Sequence, residues 1–206
     1  MAPDAGRVKG VVFDIGNVIV RWNPRTLYAR VFPDEAEREF FLTEVCTPQW
    51  HLAHDRGVTF VENRKPLLER FPEHAEAILD WERRWGEMFS GPIPETEAAI
   101  EALAARGVPM FGLTNMSHET DQATFAMSPA FRHLRDIVVS ARVGLMKPDP
   151  AIFALSARRA GFAPDELLFV DDSQRNTDAA EAVGFAAHHF CDPAALWAAL
   201  QAHGLL

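Results

Sequence analysis

The sequence predicts an α/β fold, a doubly wound parallel sheet with helices on both faces and a helical cap inserted after the first strand. Three observations predict it. Short apolar runs alternate with amphipathic stretches, and a run that is apolar at every position belongs to a strand buried on both faces. Between residues 23 and 91 the alternation gives way to helical patterns rich in Phe, Trp, Leu, Glu and Arg. Chemically capable residues follow the apolar runs, at the edge where open parallel sheets bind ligands.

Each element has its own warrant. The opening MAPDAGRVKG has no apolar signal segment and reads as a frayed start, followed by the buried strand Val11-Val12-Phe13. The stretch VVFDIGNVIV is too short to span a bilayer and is interrupted by Asp14 and Asn17. No good strand is expected over 23–91; helices are expected at 35–43, 60–70 and 74–88. Thr59 is placed to cap the second of these, with Glu62 three residues on completing a capping box. Gly91-Pro92-Ile93-Pro94 marks the return to the main domain. A helix over 95–106 then ends at Gly107. Strands at 110–113, 137–139 and 167–170 alternate with helices at 119–126, 150–160 and 176–183, before a weaker strand at 185–190. The expected division is a core over 7–20 and 92–206 and a cap over 21–91.

Composition narrows the function classes. Against 29 Asp+Glu stand 20 Lys+Arg, a net charge of −9 that repels nucleic acid and anionic membranes, so a small-molecule partner is expected. Cys46 and Cys191 form no metal-ligand spacing and read as reduced thiols of a cytoplasmic protein. There is no GxxxxGK[ST] loop, no GxGxxG after a strand, no HExxH and no GxSxG. Phosphate-loop NTP hydrolysis, nicotinamide binding, zinc peptidase chemistry and serine hydrolysis are thereby disfavoured.

The residues just after the strands form one set. Asp14 follows the first strand, Thr114-Asn115 the second, Lys147 lies beyond the third, and Asp171-Asp172 follow the fourth. Alone, an aspartate after a strand is most often a helix cap and a lysine is most often solvated. Together they place carboxylates, a hydroxyl and an ammonium on one sheet edge. Carboxylates that close repel one another unless a cation lies between them, and Mg²⁺ suits oxygen ligands while keeping positions open for a phosphate oxygen. Lys147 and Thr114 would hold the remaining phosphate oxygens, with Asp14 placed to attack phosphorus.

With FDIGNV, LTN, KPDPAIF and FVDDSQRN on one chain, the sequence resembles the haloacid dehalogenase-like hydrolases over most of its length. The wording of the first and last motifs is similar to small-cap sugar-phosphate phosphatases. The resemblance implies Asp14 as nucleophile, Thr114 as phosphate-binding hydroxyl and Lys147 as charge-stabilising lysine. It implies metal ligation by Asp14, Asp171, Asp172 and the Gly16 carbonyl, with Asn115, Gly16 and Asn17 around the phosphate. The expected activity is Mg²⁺-dependent hydrolysis of a small phosphorylated metabolite by a monomer or homodimer, with transfer to a second sugar as a variant.

One position departs from the pattern. The second aspartate that most such phosphatases use as general acid and base is Gly16 here. His118, His51, His54 and Asp55 are candidate substitutes, each also readable as surface or packing. The departure keeps two alternatives open: a metal-independent 2-haloacid dehalogenase, and a phosphate-binding protein with impaired turnover. Trp81 and Trp85, four apart, read as helix packing; Arg83-Arg84 read as a solvated face and His188-His189 as alternating strand residues.

Overall fold

The computed structural model describes residues 8–206, so the expected frayed start lies outside the described residues. Along the chain run β1 (Gly10–Phe13), β2 (Val20–Trp22), α1 (Pro24–Val31), α2 (Glu35–Phe40), α3 (Pro48–Asp55), α4 (Phe60–Arg70), α5 (Ala75–Arg83) and β3 (Phe89–Pro92). Next come α6 (Pro94–Ala105), β4 (Met110–Thr114), α7 (Asp121–Phe125), β5 (Leu134–Val139), α8 (Ser140–Val143) and α9 (Pro150–Ala160). The chain closes with β6 (Leu167–Asp171), α10 (Gln174–Ala182), β7 (Ala186–His189) and α11 (Pro193–Ala202).

Five strands form a parallel sheet in the order β5-β4-β1-β6-β7. Side-chain alternation divides its apolar residues between two layers. Val11, Phe13, Leu168 and Val170 pack with Ile100 and Leu103 of α6 and Leu196 and Leu200 of α11. Val12, Phe111, Leu167 and Phe169 pack with Ile152 and Phe153 of α9 and Ala180 of α10. Burial on both faces is why these strands read as continuous apolar runs. Among the described residues, no helix is long and apolar enough to cross a membrane.

A separate apolar cluster lies between β2 and β3, built from Leu27, Tyr28, Phe41, Val45, Phe60, Ile78, Trp81 and Met88. The Thr59–Glu62 capping box forms as expected at the start of α4. The expectation of no strand over 23–91 needs correction: β3 pairs antiparallel with β2, with Val20 opposite Pro92 and Trp22 opposite Phe89. A strand reading Phe-Ser-Gly-Pro has poor local propensity and exists because β2 supplies its partner, a long-range cause invisible in a local window. The helix expected at 74–88 is α5 followed by a tighter 3₁₀ turn at Trp85–Met88.

Helices α1, α3 and α11 were not individually assigned, yet each starts on one device. Asn23-Pro24, Thr47-Pro48 and Asp192-Pro193 place a capping side chain directly before a proline at the first helical position. The side-chain oxygen satisfies an orphan N–H, and proline supplies the required φ without a donor to lose.

Candidate active site

Strand β1 lies between β4 and β6, where the sheet order reverses, so the residues after these three strands meet. Asp14 follows β1, Thr114 ends β4 and Asp171 ends β6. The chain after Asp14 turns tightly: Asn17 N–H donates to the Val20 carbonyl (2.7 Å) and Val20 N–H to that of Ile15 (3.1 Å). Asn17 adopts a left-handed conformation (φ 56°), which an asparagine tolerates better than most residues. Its Oδ1 accepts from Trp22 N–H at 3.0 Å, and its side chain lies beside Asp172, where it favours the charged carboxylate. One residue therefore ties the first loop to β2 and to the acid after β6.

Lys147 is the hub of the site and is only 3% exposed. Its ammonium donates to Asp171 Oδ2 (2.6 Å), Asp14 Oδ1 (2.9 Å) and the Leu113 carbonyl (3.0 Å). Those three contacts use all three ammonium donors. Asn115 grips the Lys147 backbone from both sides, accepting its N–H at 2.8 Å and donating to its carbonyl at 3.0 Å. These two bonds hold Lys147 in place, and Asn115 also lines the cavity.

The paired acids have different environments. Asp171 is fully buried and accepts from Lys147, from Ser173 N–H at 2.8 Å and from Asn176 Nδ2 at 2.9 and 3.1 Å on its two oxygens. Asp172 lines the cavity instead. Oxygens of Asp14, Asp171 and Asp172 lie within 4.8 Å of one another, and the Lys147 ammonium pairs with the first two. Burial raises the Asp14 carboxyl above its ordinary value; Lys147 opposes this, and the Asp171 and Asp172 charges reinforce it. Burial works against the Lys147 charge, but Asp14 and Asp171 together outweigh it and hold the ammonium above its ordinary value. Both directions follow from one charge balance. Lys147 is held in its charged form, while the charged form of Asp14 is disfavoured. The Asp14 contacts with Lys147 and Ile15 N–H (2.7 Å) both involve Oδ1, which leaves Oδ2 for reaction.

These groups open into a cavity of about 200 Å³ lined by Asp14, Gly16, Asn17, Thr114, Asn115, Lys147 and Asp172, with Asn176 beside them. Trp22, His51, Asp55, Trp85 and Phe89 complete the wall. Of the four candidates for the role Gly16 lacks, His51 and Asp55 reach the cavity. His54 is fully buried against Trp50 and Phe60, with Asn63 on its Nε2, and His118 is not among the lining residues. Trp85 packs in one buried cluster with Trp81, as read from their spacing, and has a second face. It lies in the turn beyond α5, donates to Thr124 Oγ1 at 3.1 Å and lines the cavity as well as the insertion's core. Neither Trp22 nor Asn176 was singled out from sequence. The signal for Asn176 was its place in the first turn of a helix that begins beside two acids.

Comparison with known proteins places this fold. A phosphoserine phosphatase from Thermus thermophilus is 31% identical over 106 residues, 51% of this chain and 40% of that enzyme. An (S)-2-haloacid dehalogenase, H-109, from Pseudomonas putida is 32% identical over 97 residues, 46% of this chain and 42% of that enzyme. The matched segments thus span less than half the length of either relative. A HAD family enzyme from Bacteroides thetaiotaomicron, solved in complex with magnesium and inorganic phosphate, shares the fold with a TM-score of 0.68. It is 19% identical, over 88% of this chain and 93% of that one. The haloacid dehalogenase-like hydrolase family model matches residues 8–184, and the chain belongs to that family of hydrolases.

Proposed function

We propose that the protein is a phosphomonoester hydrolase that depends on a divalent cation, Mg²⁺ by the chemistry of its donors, and acts on a small phosphorylated metabolite. The observation that carries this reading is the charge balance at the sheet edge. Three carboxylates lie within 4.8 Å of one another with one ammonium paired to two of them, and every candidate ligand atom is a hard oxygen. Such a donor set fits a small hard dication. Asp14 and Asp172 would hold it together with the Gly16 carbonyl, and when bound it would neutralise the surplus charge and polarise a phosphoryl oxygen.

The chain's own groups supply the rest. Asp14 Oδ2 attacks phosphorus, giving an aspartyl-phosphate that water then hydrolyses. Lys147 draws charge from the transferring group, and the Thr114 hydroxyl holds another of its oxygens. Asp171 and Asn115 keep Lys147 aimed. The insertion over 21–91 acts as a cap on the core, and a cavity of about 200 Å³ beneath it restricts the substrate to a small molecule. A sugar phosphate suits that size, although the phosphate chemistry alone does not select it.

Phosphate release from an activated aryl phosphate tests the reading, with Mg²⁺, with EDTA, and with Asp14→Asn. Release that needs the metal and falls by more than about 10³-fold in the variant is expected. Halide release from a 2-haloacid without metal, alongside no phosphate release, would replace this reading with dehalogenation.

A further inference from the structure

The proposed reaction, on which this inference rests, needs one proton given and one taken in each turnover. In the first step the P–O ester bond breaks as the Asp14–phosphorus bond forms, and the departing oxygen must be protonated. In the second, a water oxygen attacks phosphorus, releases Asp14 and gives up a proton. Gly16 has no side chain to do either. The titratable residues lining the cavity are Asp14, Lys147, Asp172, His51 and Asp55, and the first three already have roles.

Asp55 has the features of a proton carrier. It ends α3, in the helical insertion, and faces the cavity although it is only 5% exposed. Its Oδ1 is buried with no hydrogen-bond partner among the described residues. His51 Nε2 lies 3.8 Å from that oxygen. Burial pushes the Asp55 carboxyl up to about 7, with the charges of Lys147 and Arg56 opposing the rise. His51 is held down to about 3 by burial, with His54 adding to the effect, so its ring stays neutral beside the carboxyl. A carboxyl near neutrality can both give and accept a proton at working pH.

The backbone carrying Asp55 is locked to the core. Ser140 Oγ donates to the Asp55 carbonyl at 2.7 Å while accepting from Met116 N–H at 3.0 Å. Two residues on, Gly57 comes so close to Ala141 that a Cβ there would sit 3.2 Å from its carbonyl oxygen. We infer that Asp55, delivered by the cap, is the general acid and base of this hydrolase, protonating the leaving oxygen and then taking the proton of the attacking water. The acid has moved from the residue two after the nucleophile to the helical insertion.

The test uses the full chain with Mg²⁺ and two probes, 4-nitrophenyl phosphate and phenyl phosphate, in wild type and Asp55→Asn. The nitrophenolate leaves without help, so the variant should release a burst of about one equivalent within about tenfold of the wild-type rate. It should then stall, because the base is missing. Intact mass should show a phosphoryl adduct on the variant. Phenyl phosphate, whose leaving group needs the proton, should react about 10²–10⁴-fold more slowly than with wild type. The variant should fold, since it loses a carboxyl whose raised acid constant makes its ionised form a cost to the native state. A thermal midpoint near pH 8 at or above wild type checks this. Equal steady-state rates with both probes would overturn the assignment, as would equal slowing of both with no burst in a folded variant. A wild type that releases no phosphate from either probe would instead remove the phosphatase reading beneath it.

Discussion

Lys147 is held by charge and by shape, and the two can be separated at single residues. Its ammonium is balanced by Asp14 and Asp171, its backbone by Asn115. Removing one partner of a buried pair costs about 3–5 kcal/mol when the other is left alone; here Asp14 remains, so Asp171→Asn should cost about 3 kcal/mol in urea unfolding at neutral pH. The sign of the pH dependence also follows. The folded-state acid constant of Lys147 lies above 10.5, so its contribution is complete below that pH and is lost as pH rises through the folded value. Asp171→Asn removes one of the two charges that raise it, and the alkaline loss of stability should begin at lower pH than in wild type. An unchanged alkaline limb would show that Asp171 does not carry the lysine. At this scale Asp14, Thr114, Lys147 and Asp172 were legible from their places after strands. The distinct environment of Asp171 was not, because adjacent residues at a strand end face different surroundings only once α10 brings Asn176 over one of them.

Among the elements, the contact between α3 and α8 places Asp55 of the insertion against the cavity. Gly57 makes it possible: its φ is +97°, and the space where a side chain would begin is taken by the Ala141 carbonyl at 3.2 Å. Gly57→Ala therefore meets backbone strain and a close contact together, and should destabilise the fold by about 1–3 kcal/mol. Turnover should fall as well, because α3 must retreat from Ser140 and draw Asp55 back with it. Denaturant unfolding beside a phosphatase assay measures both, and a stable variant with full turnover would mean that α3 docks without this approach. Strands β1, β4, β5, β6 and β7 and helices α4, α6, α9 and α10 could be read from apolar periodicity and Gly/Pro punctuation. The β2–β3 pair could not, since its cause lies in the partner strand. The Asx-Pro and Thr-Pro starts of α1, α3 and α11 were present in the sequence, and a search for caps rather than periodicity finds them.

For the molecule as a whole, the site is a concentration of negative charge inside a chain that is already at −9. Asp14 and Asp171 share Lys147 with Asp172 close by, and burial and the Asp171 charge hold the Asp172 carboxyl above its ordinary value. The metal-free fold thus carries a repulsion that a bound dication would relieve. Because the ligands come from strands far apart in sequence, the unfolded chain has no equivalent site, and binding to the native state alone adds RT ln(1 + [L]/Kd) of stability. At 100 times Kd that is about 2.7 kcal/mol, enough to raise the thermal midpoint by several degrees for a chain of this size. Mg²⁺ should produce this rise, and NaCl at matched ionic strength should not, because screening acts weakly on buried charges. Asp172→Ala should separate the two effects further. It removes one like charge, so the metal-free midpoint should hold or increase, yet it also removes a ligand, so the Mg²⁺-dependent rise should disappear. A rise of equal size in the variant would place the cation elsewhere on this acidic surface and would leave the carboxylates at the sheet edge without the partner their charge calls for.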